Sequence, residues 1–114
     1  MATWREVAQR VRVAWVLAQG APFPFPGAVC TSVNDAVVHG LPTDYELRDG
    51  DLLKADVGAV YQGWYSDAAI TVPVGNVSDE ARKLVEVTRE ALMRAIRLIK
   101  PGVRLRKICA EIQD

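Results

Sequence analysis

Two aspartates, Asp56 and Asp67, sit inside apolar runs where a carboxylate has no obvious structural use. The stretch from Asp51 to Val74 reads DLLKADVGAVYQGWYSDAAITVPV, two β-branched runs on either side of Tyr61-Gln62-Gly63, which is the form of a β-hairpin. A turn centred between Tyr61 and Gln62 sets Val60 opposite Gly63, Val57 opposite Ser66 and Asp56 opposite Asp67. Residues opposed in this way have Cβ atoms roughly 4.5–5.5 Å apart, and like charges there are destabilising. Aspartate is also depleted from strand interiors. Three arrangements reconcile the pair with a folded hairpin. A divalent cation, or a pair of them, neutralises both carboxylates. One shared proton raises the pKa of one carboxyl and makes an acid–base dyad. Or one aspartate ends its strand and points to water.

The scaffold that positions these residues is built from 114 residues, enough for one domain or a large part of one. Half of them are hydrophobic and a quarter charged, the balance of a globular protein. Fourteen basic and fourteen acidic side chains cancel, which argues against nucleic acid as a partner. Two cysteines, Cys30 and Cys109, make no disulfide framework and read as free thiols in a reducing compartment. The apolar run Val11 to Ala18 is short and interrupted by Arg12, neither a membrane span nor a signal peptide, so a cytoplasmic location is expected.

Thr3-Trp4-Arg5-Glu6 has the form of a capping box, and helical spacing of apolar residues follows from Trp4 to Gln19. Pro22, Pro24 and Pro26 then exclude regular structure up to Gly27 and hold Phe23 and Phe25 on a stiff loop, as core filler or as a pocket wall. Ala28 to Val33 and Ala36 to Val38 read as strand-like runs split by the turn pair Asn34-Asp35. His39, the single histidine, follows; alone, such a residue is more often a hydrogen-bonded structural group than a catalyst. After the hairpin, Ser78 is a good N-cap, with Asp79 and Glu80 in the first helical turn. Ala81, Leu84, Val85, Thr88, Ala91, Leu92, Ala95, Ile96 and Ile99 form one apolar face, expected to pack on a sheet. Pro101 stops this helix, and Leu105, Ile108, Cys109 and Ile112 open another that runs to the chain's end at Asp114. A helix cut off so early reads as truncation.

The run Cys30-Thr31-Ser32-Val33-Asn34-Asp35-Ala36-Val37-Val38-His39-Gly40-Leu41-Pro42 is followed by Leu47-Arg48-Asp49-Gly50-Asp51, by Asp56 and Asp67, and by Lys100-Pro101-Gly102-Val103 with Leu105, Arg106 and Ile108. This set resembles type I methionine aminopeptidases, pita-bread metallopeptidases that remove the initiator methionine from new proteins. The resemblance implies an α+β, partial pita-bread fold: an antiparallel sheet with helices packed on one face, residues 1–114 forming one incomplete domain. It implies that Asp56 and Asp67 bind a centre of two divalent ions (Co, Mn, Fe or Zn), one aspartate bidentate and the other bridging. By the same resemblance His39 contacts the scissile peptide of an N-terminal Met substrate and stabilises its tetrahedral intermediate. Cys30 and Phe25 line the pocket for the methionine side chain, where a soft apolar wall suits a thioether.

The departures from that family matter as much. Its remaining ligands are one histidine and two glutamates; this chain has no second histidine, and Glu80, Glu86, Glu90 and Glu111 match none of those positions. The expectation is therefore a central fragment with two of five ligands, binding metal weakly and weakly active or inactive alone. A partial sheet with exposed edges is expected to self-associate or to be completed by a partner polypeptide. The alternative of another class is a non-catalytic pita-bread module that binds a peptide or protein; keeping both aspartates and His39 argues against it. A prolidase-like or aminopeptidase P-like enzyme is a third reading, which the Cys30 to Asp35 run disfavours.

Overall fold

The computed structural model describes residues 29–61 and 64–114, and the chain divides into two compact units, Met1–Val77 and Ser78–Asp114. The expected helix from Trp4 to Gln19 and the Phe23 and Phe25 loop lie outside the described residues.

In the first unit three antiparallel strands, β1 (Cys30–Val33), β2 (Leu52–Tyr61) and β3 (Trp64–Pro73), lie in the order β1-β2-β3. The long hairpin β2–β3 follows from its β-branched alternation, but its register differs from the expected one. Pairing runs from Leu52 with Pro73 to Tyr61 with Trp64, so Asp56 opposes Ala69 and Asp67 opposes Gly58. Two residues, Gln62 and Gly63, connect the paired ends. That is the loop length hairpins favour, and it moves the centre of pairing one residue along from the expected turn. A shift of two in the partner leaves every side chain on its original face, because side chains alternate with a period of two. Asp56 and Asp67 are therefore diagonal neighbours on one face rather than directly opposed.

β1 pairs with the first half of β2, placing Cys30 opposite Asp56 and Ser32 opposite Lys54. Here the core is tightest: Cys30 is 1 % exposed, Leu53 and Ser32 2 % each, and Val29 and Thr31 are also buried. Ala36 to Val38 forms no strand, which corrects the sequence expectation. The chain turns at Asn34, whose φ is 48°, with Ala36 N donating to Val33 O at 3.0 Å, and Val37 and Val38 are left exposed. A turn with a left-handed residue at its start ends β1 before the second apolar run can join it.

The second unit holds α1 (Asp79–Arg97) and α2 (Leu105–Gln113). As the sequence requires, the Ser78 hydroxyl accepts from Ala81 N at 3.2 Å, Asp79 and Glu80 occupy the first turn, and Arg94 and Arg97 the last, so charge opposes the helix dipole at both ends. Arg94 joins the two helices through Glu111 at 2.6–2.7 Å, and Glu90 pairs with Arg97 at 2.8 Å. Of the apolar face, Ala95 is buried, and Leu84, Leu92, Ile96 and Ile99 are largely exposed. Ser78→Ala is expected to cost about 1 kcal/mol, read as a shift in denaturation midpoint, because the Ala81 amide loses its acceptor. No helix among the described residues is long and apolar enough to cross a membrane.

Candidate functional site

Three strands bring the candidate residues of the first unit together. Cys30 and Ser32 share one face of β1 by their spacing, and Cys30 stands opposite Asp56 on the central strand. Asp56 shares its face of the hairpin with Asp67, one diagonal step across to β3. Cys30 is sealed from solvent, Asp56 is partly covered, and Asp67 is exposed on the outer strand. The face thus grades from a buried sulfur to an open carboxylate within three strands.

The electrostatics follow this gradient. Burial pushes the Asp56 carboxyl above its ordinary value, the Asp67 charge and a hydrogen bond between the two carboxyls push it further, and the imidazole of His39 pulls it part of the way back. Burial likewise raises the Cys30 thiol, with the Asp56 and Asp67 charges adding to the effect. The Cys30 thiol is therefore held in its neutral form, which attacks and ligates poorly, since only the thiolate does either well. Two mutually repelling carboxylates on one face supply hard oxygen donors of the kind divalent cations take. Among the described residues no group of three or more His, Cys, Asp or Glu side chains gathers to hold a metal. The pair fits part of a metal site and not a whole one.

His39 lies on the loop after β1, in a left-handed backbone conformation with φ 57°, and its imidazole is within electrostatic reach of Asp56. Its neighbour Gly40 docks on β1: Gly40 N donates to Ser32 Oγ at 3.0 Å and Gly40 O accepts from Thr31 N at 2.8 Å. A Cβ at Gly40 would come within 2.2 Å of the Thr31 carbonyl oxygen. Gly40→Ala is accordingly expected to destabilise the chain by about 2–4 kcal/mol, measurable by urea unfolding, since either the loop or β1 must move.

A second cluster escaped the sequence reading. The Asp51 carboxylate is buried at the head of β2 and accepts from Arg48 N and Asn34 Nδ2 at 2.8 Å and from the Tyr45 hydroxyl at 3.1 Å. Asn34 completes the knot: its Oδ1 accepts from Leu52 N at 2.9 Å and its backbone carbonyl from Lys54 Nζ at 2.6 Å. Arg48 also lies 5.7 Å from the centre of the Tyr45 ring. The signal in the sequence was only a turn pair, Asn34-Asp35, and an Asp49-Gly50 step before the hairpin, each of which reads as local turn chemistry. Phe25, expected in the pocket wall with Cys30, lies outside the described residues.

Comparison with known proteins places this geometry in a family. A sequence model of metallopeptidase family M24 matches residues 1–114. Methionine aminopeptidase 1 of Bacillus subtilis is 47 % identical over 89 residues, covering 78 % of this chain and 36 % of the relative. The crystal structure of methionine aminopeptidase from Thermotoga maritima superposes with a TM-score of 0.72 at 51 % identity, over 76 % of this chain and 35 % of that one. Prolidase from Pyrococcus furiosus shares the fold with a TM-score of 0.66 at 27 % identity, over 75 % and 26 % of the two chains. The α+β pita-bread expectation is borne out. The chain spans about a third of the length of the curated relatives it matches.

Proposed function

Because this chain belongs to metallopeptidase family M24, we propose that it carries two of the carboxylate ligands of a metal-dependent methionine aminopeptidase site, which removes the initiator methionine from new proteins. The observation that supports this reading most directly is the diagonal placement of Asp56 and Asp67 on one sheet face, beside Cys30 and within electrostatic reach of His39. The relatives at 47 % and 51 % identity are named methionine aminopeptidases, against 27 % for a prolidase, which favours methionine over the proline-directed enzymes.

In this reading Asp56 and Asp67 hold divalent metal, two ions of Co, Mn, Fe or Zn in the complete site. Metal held there supplies positive charge that polarises a peptide carbonyl. The repulsion within the apo pair is what makes the site receptive: each carboxylate gains a counter-charge that the sheet does not provide. His39 donates from its imidazole to the scissile peptide and stabilises the oxygen on which negative charge develops. Cys30, neutral and buried, would form the floor of an apolar recess that accepts a thioether. By its resemblance to the family, Phe25 would add an aromatic ring to the methionine pocket.

Two carboxylates bind a divalent ion weakly when no further donors fix it. The 114-residue chain is expected to bind Mn²⁺ measurably by electron paramagnetic resonance and to give no turnover of Met-Ala-Ser with Mn²⁺ or Co²⁺ added. Binding no stronger than that of the double variant Asp56→Asn/Asp67→Asn would remove the metal reading. Turnover abolished by Asp67→Ala would instead refute the claim that two donors do not suffice.

A further inference from the structure

We infer that Ser32 is a positioning residue: its buried hydroxyl clamps the Gly40 amide and so holds His39 in its left-handed conformation beside the Asp56–Asp67 pair. A residue with a Cβ adopts positive φ at a cost, and keeps it only where its surroundings leave no alternative. At His39, with φ 57°, those surroundings are visible. The next residue is tied to β1 twice, by Gly40 N to Ser32 Oγ at 3.0 Å and by Thr31 N to Gly40 O at 2.8 Å. The second bond is between backbone groups and could form in many sequences. The first needs a side-chain acceptor of this length at this position of β1, and Ser32 supplies it from a site only 2 % exposed. The glycine is required by the same docking, because a Cβ there would meet the Thr31 carbonyl at 2.2 Å.

The placement on β1 connects the clamp to the site. Cys30 and Ser32 are two residues apart and share a face; the first opposes Asp56 and the second anchors the loop that carries His39. One short strand thus sets both the wall of the carboxylate site and the direction from which the imidazole approaches it. His39 is itself exposed, so no packing of its ring substitutes for this backbone restraint. The consequence for chemistry rests on the reading of His39 given above; the clamp itself does not.

The chain's single histidine makes the test direct, since its labelled imidazole gives one set of resonances. In the full chain, backbone couplings and Cα and Cβ shifts report the φ of His39, and added Mn²⁺ broadens the ring signal if the ion sits near it. Ser32→Ala is expected to release His39 from the left-handed region and to speed exchange of the Gly40 amide at least about tenfold. It should also reduce Mn²⁺ broadening of the ring while Mn²⁺ affinity is unchanged. Ser32→Thr, which keeps the hydroxyl, restores the wild-type pattern. Leu53→Val loosens the same sheet without touching the clamp and leaves His39 unmoved. Should Ser32→Ala not fold, Ser32→Cys keeps the volume, weakens the acceptor and carries the same expectation. Unchanged His39 couplings in the hydroxyl-deficient variant, or an equal change in Leu53→Val, overturns the inference. Absence of Mn²⁺ binding in the wild type overturns the metal reading alone, and the couplings still decide the clamp.

Discussion

Asp67→Asn is expected to weaken divalent-metal binding by on the order of a hundredfold and, in the absence of metal, to make the folded chain more stable. The two effects have one cause. Asp56 and Asp67 lie diagonally on one face of the hairpin, and the charge of the second helps hold the carboxyl of the first above its ordinary value. Removing one charge relieves a cross-strand repulsion worth about 0.2–1 kcal/mol, and the gain belongs near the low end because Asp67 is exposed to water. It also removes one of the two carboxylates that a divalent ion could grip together. A residue conserving only the fold shows no such opposition of signs, because its loss costs stability. Mn²⁺ titration by calorimetry and urea unfolding in the presence of a chelator measure the two quantities separately. A variant that binds Mn²⁺ as tightly as wild type, or that unfolds at lower urea in chelator, contradicts the assignment.

A large loss of stability is also expected from Asp51→Ala, which should lower Tm by roughly 10 °C. The change strips the acceptor from the Arg48 amide, the Asn34 side chain and the Tyr45 hydroxyl at once. Removing one partner from a satisfied network leaves the others without a bond, which costs more than the bond itself contributed. The damage also spreads along the chain, since Asn34 uses its remaining oxygens to hold Leu52 and Lys54, and with them the start of β2 against the end of β1.

The same network sets a pH dependence. The Arg48 amide first, then the Asn34 side chain, hold the Asp51 carboxyl below its ordinary value, despite an opposing effect of burial. The unfolded chain therefore binds this proton more readily than the folded one, and stability rises with pH across that interval. The contribution is complete above the ordinary carboxylate pKa of about 4 and is lost as pH falls through the lower folded value. Thermal melts below about pH 4 should thus flatten for Asp51→Asn relative to wild type. An identical acid slope in the two proteins would show that the carboxylate's protonation is not coupled to folding.

Much of the scaffold is legible from local pattern. The β-branched runs around Gln62 and Gly63 specify a hairpin, and Ser78 with its acidic neighbours specifies where α1 starts. The register of the hairpin is less legible, because the turn's centre differs by one residue between Tyr61-Gln62 and Gln62-Gly63 and nothing local decides between them strongly. Asp56 and Asp67 share a face in either register for a geometric reason. Moving the centre of an antiparallel turn by one residue changes each partner by two, and two is the side-chain period of a strand. No strand forms over Ala36 to Val38, apolar as it is, and the chain turns at the left-handed Asn34 that ends β1.

By itself, then, the sequence determined which residues face the same way. Alternation along β2 and β3 puts both aspartates on one side of the sheet for either of these two turn centres, and the spacing of Cys30 and Ser32 does the same on β1. Only the tertiary structure decided who meets whom across long separations. Asp51 finds Asn34 from 17 residues away, and Gly40 returns eight residues to Ser32. Such contacts carry no periodic signature, because each depends on where a loop is brought back rather than on the local repeat of the chain; the folded backbone alone fixes that return.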